Sequence, residues 1–181
     1  VCSSDLPLKD IAAQAGANGL SAEGTFRTDH MTYPFGIHLA QVRVDRETGE
    51  VEVERFVVSY DIGRAVNPMM IEGQIQGGYA QGLGGALYEE FLYDASGAPL
   101  SVTLADYLMP TSCEVTRVDV LVLEDAPTPL NPLGIKGAGE AGVTAAGAAI
   151  AAAIDDAIGK PGAVTRLPVT PARLLTLLRA G

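Results

Sequence analysis

The stretch HLAQVRVDRETGEVEVERFVV, residues 38–58, alternates apolar and polar side chains on both sides of a turn-forming segment. Such a period of two places one set of side chains on a buried face and the other set in solvent, as in a half-buried strand. Residues 46–49, RETG, interrupt the alternation with a segment that favours a turn. The pattern therefore predicts a β-hairpin.

A helix is predicted soon after this hairpin. Asn67 is a favourable N-cap, and Pro68 suits the first helical position. Apolar side chains then recur every fourth residue and form one stripe, at Ile71, Ile75, Tyr79, Leu83 and Leu87. The same segment contains glycines at positions 73, 77, 78, 82, 84 and 85. Because an interior glycine costs about 0.5–1 kcal/mol relative to alanine, we expect another backbone or a ligand to approach this helix closely.

The rest of the chain completes a mixed fold. Residues 115–123 alternate and indicate a strand, whereas residues 101–109 suit a short strand or a turn. An apolar segment predicts a buried helix over residues 142–158, ended by Gly159, and Thr170-Pro171 begins a short terminal helix. We expect an α/β (α+β mixed) domain in which antiparallel hairpins pack against two long helices.

Composition excludes several classes of protein. The 181 residues include 12 basic and 22 acidic side chains, a net charge of −10, which argues against nucleic-acid binding. Two cysteines and two histidines are too few for a disulfide framework or for a metal site built from those residues, so a reduced cytoplasmic protein is expected. The apolar run over residues 143–154 is shorter than the roughly 20 residues that span a bilayer.

The first six residues, VCSSDL, form an unusual start. They correspond to one reading frame of a common sequencing adaptor, and we interpret residues 1–6 as a non-native artefact. The native sequence would then comprise residues 7–181 and continue upstream.

The segment GIKGAGEAG, residues 134–142, contains the spacing G-x-G-x-x-G. A dinucleotide-binding fingerprint requires a strand that runs directly into the glycines and an acidic residue that ends a second strand. Here the glycines follow a proline-rich loop, and Asp155 and Asp156 fall within a predicted helix. A nicotinamide-binding domain is therefore the weakest of the hypotheses.

The glycines of this loop favour a different kind of site. Gly137 and Gly139 would let backbone N–H groups approach a ligand near the start of a helix, where anions are favoured. Glu140 lies between them and the helix. Judged from residue types alone, the carboxylate is expected to interact with the helix start. The alternative is a general base held beside an anionic cofactor.

Two motifs in order carry a resemblance to a known family: YDIGRAVNPMMIEGQIQGGYAQGLGGALYEEFLYD (60–94) and NPLGIKGAGEAG (131–142). Together they resemble the molybdopterin-binding catalytic (large) subunit of the xanthine dehydrogenase, aldehyde oxidase and carbon monoxide dehydrogenase family. The resemblance extends from about Tyr33 to residues 170–175. It implies that the chain is the C-terminal portion of a molybdenum-cofactor-binding domain.

The resemblance implies roles for individual residues. Glu140 matches the glutamate that acts as the base in this family. Gln74 matches the glutamine beside the pterin, where its side chain offers a donor and an acceptor. Lys136 would supply a structural or cofactor-side charge. Three consecutive residues would contact the cofactor through their backbone, namely Gly137, Ala138 and Gly139.

The resemblance also implies a cofactor, partners and a reaction. The cofactor is molybdopterin with molybdenum, in the cytosine dinucleotide form, and its dithiolene holds the metal, so no protein metal ligand is expected. Iron–sulfur and FAD groups are expected on partner subunits of a hetero-oligomer. The reaction would hydroxylate a small aldehyde, an N-heterocycle or a CO-like substrate. The alternative is a non-catalytic scaffold or assembly module that binds partner subunits.

Other polar residues are expected to be structural. We interpret His30 and His38 as hydrogen-bonded strand or loop residues and not as metal ligands. Cys113 is expected to be a small buried hydrophobic residue. Glu89 and Glu90 are expected to be a solvated helix end.

Overall fold

The computed structural model describes residues 7–15, 19, 21 and 23–179. Residues 1–6, interpreted as an artefact, lie outside the described residues. A short helix, α1 (Leu8–Ala15), which the sequence pattern did not predict, precedes the sheet. No helix in the described part of the chain is long and apolar enough to cross a membrane.

The predicted hairpin is confirmed. Strands β1 (Phe35–Val44) and β2 (Val51–Asp61) pair antiparallel, with a register shift after Gln41. The Asp45 carboxylate accepts the N–H groups of Glu47 and Thr48, at 2.8 and 3.1 Å, and thereby holds the turn. Gly49 closes the turn at a φ of 78°, a left-handed conformation that favours glycine.

The third strand, β3 (Val118–Leu123), joins β2 in parallel, so the sheet order is β1-β2-β3. The strand predicted at residues 115–123 is therefore present, although it begins at residue 118. Residues 101–109 contain turns and no strand. The mixed α/β class is confirmed, with one antiparallel hairpin and a parallel third strand in the described residues.

Three further helices follow the hairpin. Helix α2 (Pro68–Leu87) begins where predicted, and the Asn67 side chain accepts the Met70 N–H at 3.1 Å. Helix α3 (Ala146–Ile158) begins four residues later than predicted, because residues 142–145 form turns against α2. Helix α4 is Pro171–Arg179. Gly159 ends α3 at a φ of 71°.

The core lies between one face of the sheet and helices α2 and α3. The predicted stripe of α2 contributes Ile75, Tyr79, Leu83 and Leu87, which are all buried. The inward face of β2 and one side of α3 supply most of the remaining core: Val53, Phe56, Val58, Tyr60, Ile150, Ile154 and Ile158. The opposite face of the sheet carries Ile37 and Leu39, which are more than half exposed.

Close backbone approach explains part of the glycine content of α2. A Cβ atom on Gly82 would lie 2.5 Å from the Cβ of Ala146, and one on Gly78 would lie 2.9 Å from the Val143 nitrogen. From the opposite side, a Cβ on Gly142 would overlap the Ile75 carbonyl oxygen. The predicted close approach is thus confirmed at these positions. Gly84 is crowded as well, by the Glu89 side chain, whereas open space surrounds the three remaining glycines of the helix: Gly73, Gly77 and Gly85.

Alanine substitutions should separate these two groups of glycines. We expect Gly82→Ala to lower the free energy of unfolding by about 1–2 kcal/mol, because the added methyl overpacks the contact with α3. Gly77→Ala, in open space on the same helix, should raise it by about 0.5–1 kcal/mol. Urea unfolding of the two variants beside the parent chain measures both effects. Equal shifts of the same sign would contradict this explanation.

Candidate functional site

A cleft of about 430 Å³ opens at the end of the sheet. Its walls are the segment that precedes β1 (residues 31–34), the Tyr60 side chain of β2 and the loop that leads to α3. Gly137, Gly139 and Glu140 of that loop line the cleft. The structure therefore brings the glycine-rich loop of the second motif against the hairpin.

The loop is held rigidly at its start. The Asn131 amide donates to the Ile135 carbonyl at 2.8 Å and accepts the Ile135 N–H at 3.0 Å. The backbone N–H of Lys136 donates to the Ile62 carbonyl at 2.8 Å, at the end of β2. Gly134 adopts a φ of 71° between these contacts. These bonds fix where the chain enters the cleft.

A buried ion pair also holds the start of the loop, at Lys136. The Lys136 ammonium lies 3.1 Å from an Asp61 carboxylate oxygen, and the two side chains are only 8% and 2% exposed. The ammonium also lies 4.4 Å from the centre of the Phe35 ring. Asp61 accepts three backbone N–H groups besides, from Gly63, Asp125 and Ala126. Lys136 is thus engaged inside the protein, beneath the loop.

The environment of Asp61 keeps its carboxyl group ionised. Burial by itself would raise the pKa of Asp61, but the hydrogen bond and charge of Lys136 and the backbone N–H donors outweigh it, so the pKa lies below its usual value. Asp61 lies on the sheet face opposite to Val58 and Tyr60, since successive side chains of a strand alternate. The ion pair therefore anchors the loop on the outer face of the sheet.

The next residues of the loop are free of internal partners. The backbone N–H groups of residues 137–140 donate to no acceptor among the described residues. Gly137, Gly139 and Glu140 are exposed, and a Cβ on either glycine would meet nothing within 4 Å. The Glu140 carboxylate has no hydrogen bond or ion pair in the described part of the chain, whereas its carbonyl accepts the Thr144 hydroxyl at 2.8 Å. Backbone donors without acceptors and a carboxylate without a partner thus occur in the same loop, at the edge of the cleft.

Sequence reasoning missed the contact that holds the loop on its inner side. The Nε2 atom of His38 lies 2.8 Å from the Ala141 carbonyl oxygen, one residue beyond Glu140. Burial lowers the pKa of His38, against the opposing effect of this hydrogen bond, and so favours the neutral ring. The interpretation of His38 as a hydrogen-bonded strand residue is confirmed. No cluster of metal-ligating side chains occurs among the residues that the structure describes.

Gln74 lies on the exposed side of α2. Its neighbour Ile75 contacts Gly142 through the backbone, so the first motif packs directly against the end of the second. The structure gives no contact between the Gln74 and Glu140 side chains. Ala138 lies half-buried between the two exposed glycines.

Two expectations for structural residues were wrong. Cys113 is exposed, because it lies in a surface turn whose Thr111 hydroxyl accepts the Cys113 N–H. Glu90 is only 18% exposed and pairs with Arg166 and Arg173 at 2.9 and 2.6 Å. Glu89 accepts the Tyr107 hydroxyl at 2.6 Å. The C-terminal segment returns to the end of α2, and no local pattern reveals that return.

The Glu90 cluster should make stability depend on pH. The Arg173 hydrogen bond, together with the charges of Arg173 and Arg166, lowers the pKa of Glu90 below its usual value. A lowered carboxyl pKa stabilises the fold above the unfolded value of about 4.3, and this stabilisation is lost as the pH falls through the folded value. We expect Glu90→Gln to lower the free energy of unfolding by about 1–2 kcal/mol at pH 7 and to have little effect at pH 3. Urea unfolding at both pH values measures this, with exposed Glu72→Gln as the control; an equal loss at both would contradict it.

The chain is similar to known proteins in both sequence and structure. The family model described as "Molybdopterin cofactor-binding domain" matches residues 1–116. The chain is 48% identical over 158 residues to the 6-hydroxypseudooxynicotine dehydrogenase complex subunit gamma of Paenarthrobacter nicotinovorans, covering 87% of this chain and 20% of that one. It is 40% identical over 151 residues to the carbon monoxide dehydrogenase large chain of Hydrogenophaga pseudoflava, covering 82% and 18%.

The chain is also similar to a solved structure. The crystal structure of quinoline 2-oxidoreductase from Pseudomonas putida 86 superimposes with a TM-score of 0.75 and 40% sequence identity, over 80% of this chain and 18% of that one. The chain spans about a fifth of the length of the curated relatives it matches. On the family match and these identities, the chain belongs to the molybdopterin cofactor-binding domain family, whose members among its relatives include large chains of carbon monoxide dehydrogenases and molybdenum-binding subunits of xanthine dehydrogenases.

Proposed function

We propose that this chain is the C-terminal portion of the catalytic subunit of a molybdenum hydroxylase, with Glu140 as its general base. The observation that carries the proposal is the unpaired Glu140 carboxylate, which stands at the edge of a cleft beside four backbone N–H groups without acceptors. A base must be able to reach the proton that it removes, and a carboxylate without internal partners is free to do so.

The residues at the cleft fit a molybdopterin cofactor. Backbone N–H groups suit the phosphates and oxygen atoms of an anionic group, and the absence of Cβ atoms at Gly137 and Gly139 leaves room for close approach. Gln74, exposed beside the contact between the two motifs, would offer a donor and an acceptor to the pterin. When bound, the cofactor would supply the metal centre at which the substrate is oxidised.

The residues of this chain would then have separate roles in binding the cofactor and in accepting the proton. The backbone of residues 137–139 binds the cofactor side of the cleft, while the carboxylate of Glu140 accepts the proton released in hydroxylation. Lys136 would act by positioning the loop and not by contact with the cofactor, because its ammonium is engaged by Asp61 and Phe35. It holds the beginning of the loop, directly before the four N–H groups that have no acceptor.

The proposals on partner subunits, cofactor form, location and substrate rest on the relatives of this chain. Their names describe a subunit of a dehydrogenase complex and a large chain, so we propose a hetero-oligomer in which iron–sulfur and FAD groups lie on partner subunits. We further propose the cytosine dinucleotide form of the cofactor, a cytoplasmic location, and a small aldehyde, N-heterocycle or CO-like substrate. Hydrolysis of the pyrophosphate bond of the extracted cofactor by a nucleotide pyrophosphatase would release cytidine monophosphate if the dinucleotide form is correct.

The proposal is tested on the complete enzyme purified with its partner subunits. We expect molybdenum and pterin to co-purify with the large subunit, and at least one substrate of the three classes to reduce an artificial electron acceptor. Purified enzyme that contains no molybdenum would contradict the proposal. A complex that turns over without this portion of the chain would favour the scaffold or assembly role instead.

A further inference from the structure

His38 occupies an unusual position for a polar side chain. It lies on β1, opposite Val58 of β2, on the face of the sheet that packs against the helices. Its ring makes edge contacts with Phe56 and Tyr60, at centroid distances of 5.6 and 5.8 Å. The aromatic contacts on two sides restrict the orientation of the ring.

The hydrogen bonding of the ring defines its protonation. The Ala141 carbonyl can only accept, so the Nε2 atom must carry a proton and donate it over 2.8 Å. The Nδ1 atom is buried and has no hydrogen-bond partner among the described residues. A second proton on Nδ1 would place a charge in this apolar surrounding. The ring is therefore a neutral donor with a single target, the loop that carries Glu140.

The loop is held from both faces of the sheet. Lys136 fixes its beginning on the outer face through Asp61, and His38 fixes Ala141 on the inner face. Residues 137–140 span the distance between these two anchors, and they are the residues whose N–H groups have no internal acceptor. A span held at both ends has fewer conformations than one held at a single end.

We propose that His38 is a positioning residue for the general base: its Nε2–H bond to Ala141 sets the direction in which Glu140 faces the cleft. This inference rests on the proposed role of Glu140. His38 touches neither substrate nor cofactor in this proposal and acts only through the loop. Its loss should lower kcat with little change in KM, because the base is displaced while the walls that bind the substrate remain.

The test compares His38→Leu and His38→Gln in the complete cofactor-loaded enzyme. Leucine fills the apolar space without a donor, whereas the glutamine amide can donate to the Ala141 carbonyl. We expect His38→Leu to lower kcat about tenfold or more, since small displacements of a catalytic group are costly, and His38→Gln to recover most of the loss. Val42→Ala, on the same face of β1, is the matched control: it should lower the melting temperature and leave kcat unchanged.

A second measurement needs no turnover. The readout is amide hydrogen exchange of Ala141, Val143 and Thr144, whose N–H groups donate to carbonyls within the loop. In the cofactor-free enzyme it should be at least severalfold faster in His38→Leu than in the parent, in His38→Gln or in Val42→Ala. Unchanged exchange in His38→Leu would overturn the inference. Faster exchange with unchanged kcat would also overturn it, provided that Glu140→Gln is inactive. If Glu140→Gln itself retains activity, the proposed role of Glu140 as base fails, and the exchange result still decides whether His38 holds the loop.

Discussion

Replacement of Glu140 by glutamine should lower kcat by about 10²–10⁴-fold, the usual contribution of a general base. Glutamine keeps the size and the hydrogen-bonding capacity of the side chain but cannot accept the proton. The neighbouring contacts should survive, because the Thr144 hydroxyl binds the Glu140 carbonyl and not its carboxylate. Steady-state turnover of the complete enzyme at saturating substrate measures the effect.

Two controls make this result specific. The molybdenum content of Glu140→Gln should equal that of the parent enzyme, because the backbone N–H groups of the loop are unaffected. Glu47→Gln, in the exposed hairpin turn, removes a charge elsewhere and should leave kcat unchanged. Turnover near the parent rate in a molybdenum-replete Glu140→Gln enzyme would remove Glu140 from the role of base.

Removal of the Lys136 ammonium should have the largest effect on stability. We expect Lys136→Met to lower the free energy of unfolding by about 3 kcal/mol, because it leaves the Asp61 carboxylate buried without its counter-charge. The pKa of Asp61 is lowered in the folded state, so the contribution of the pair is present above the unfolded value of about 3.9 and is lost as the pH falls through the folded value. Urea unfolding at neutral and acidic pH measures the loss.

An exposed ion pair provides the control for Lys136. Arg55 and Asp119 are 63% and 51% exposed, so Arg55→Met should cost less than about 1 kcal/mol. The double variant Asp61→Asn/Lys136→Met should lose less than the sum of its single changes, since the two groups interact directly. Strict additivity would show that the pair does not act as a unit.

The structural features that depend only on neighbouring residues could be predicted from the sequence. The hairpin, the cap at Asn67 and the stripe of α2 follow from neighbouring residues, and each is confirmed. The motifs also located the loop that lines the cleft. The roles of Glu140 and Gln74 stay predictions.

The remaining features depend on pairs that lie far apart in sequence. The parallel pairing of Phe56 with Val118 has no signature in either strand alone. The bond from His38 to Ala141 joins residues 103 positions apart, and nothing near His38 distinguishes it from any half-buried strand residue. The burial of Glu90 likewise depends on Arg173, which approaches only when α4 folds back. The fold class could therefore be predicted, but the supports of the site could not.

The parallel pairing of β2 and β3 imposes an order of assembly on the site. The hairpin and α2 consist of local contacts, which form early in folding. Asp61 obtains its N–H donors from Asp125 and Ala126 only after β3 has docked, and Lys136 can reach it only then. The loop that carries Glu140 should consequently be among the last parts of this domain to become ordered. The cofactor would then bind only after most of the domain has folded.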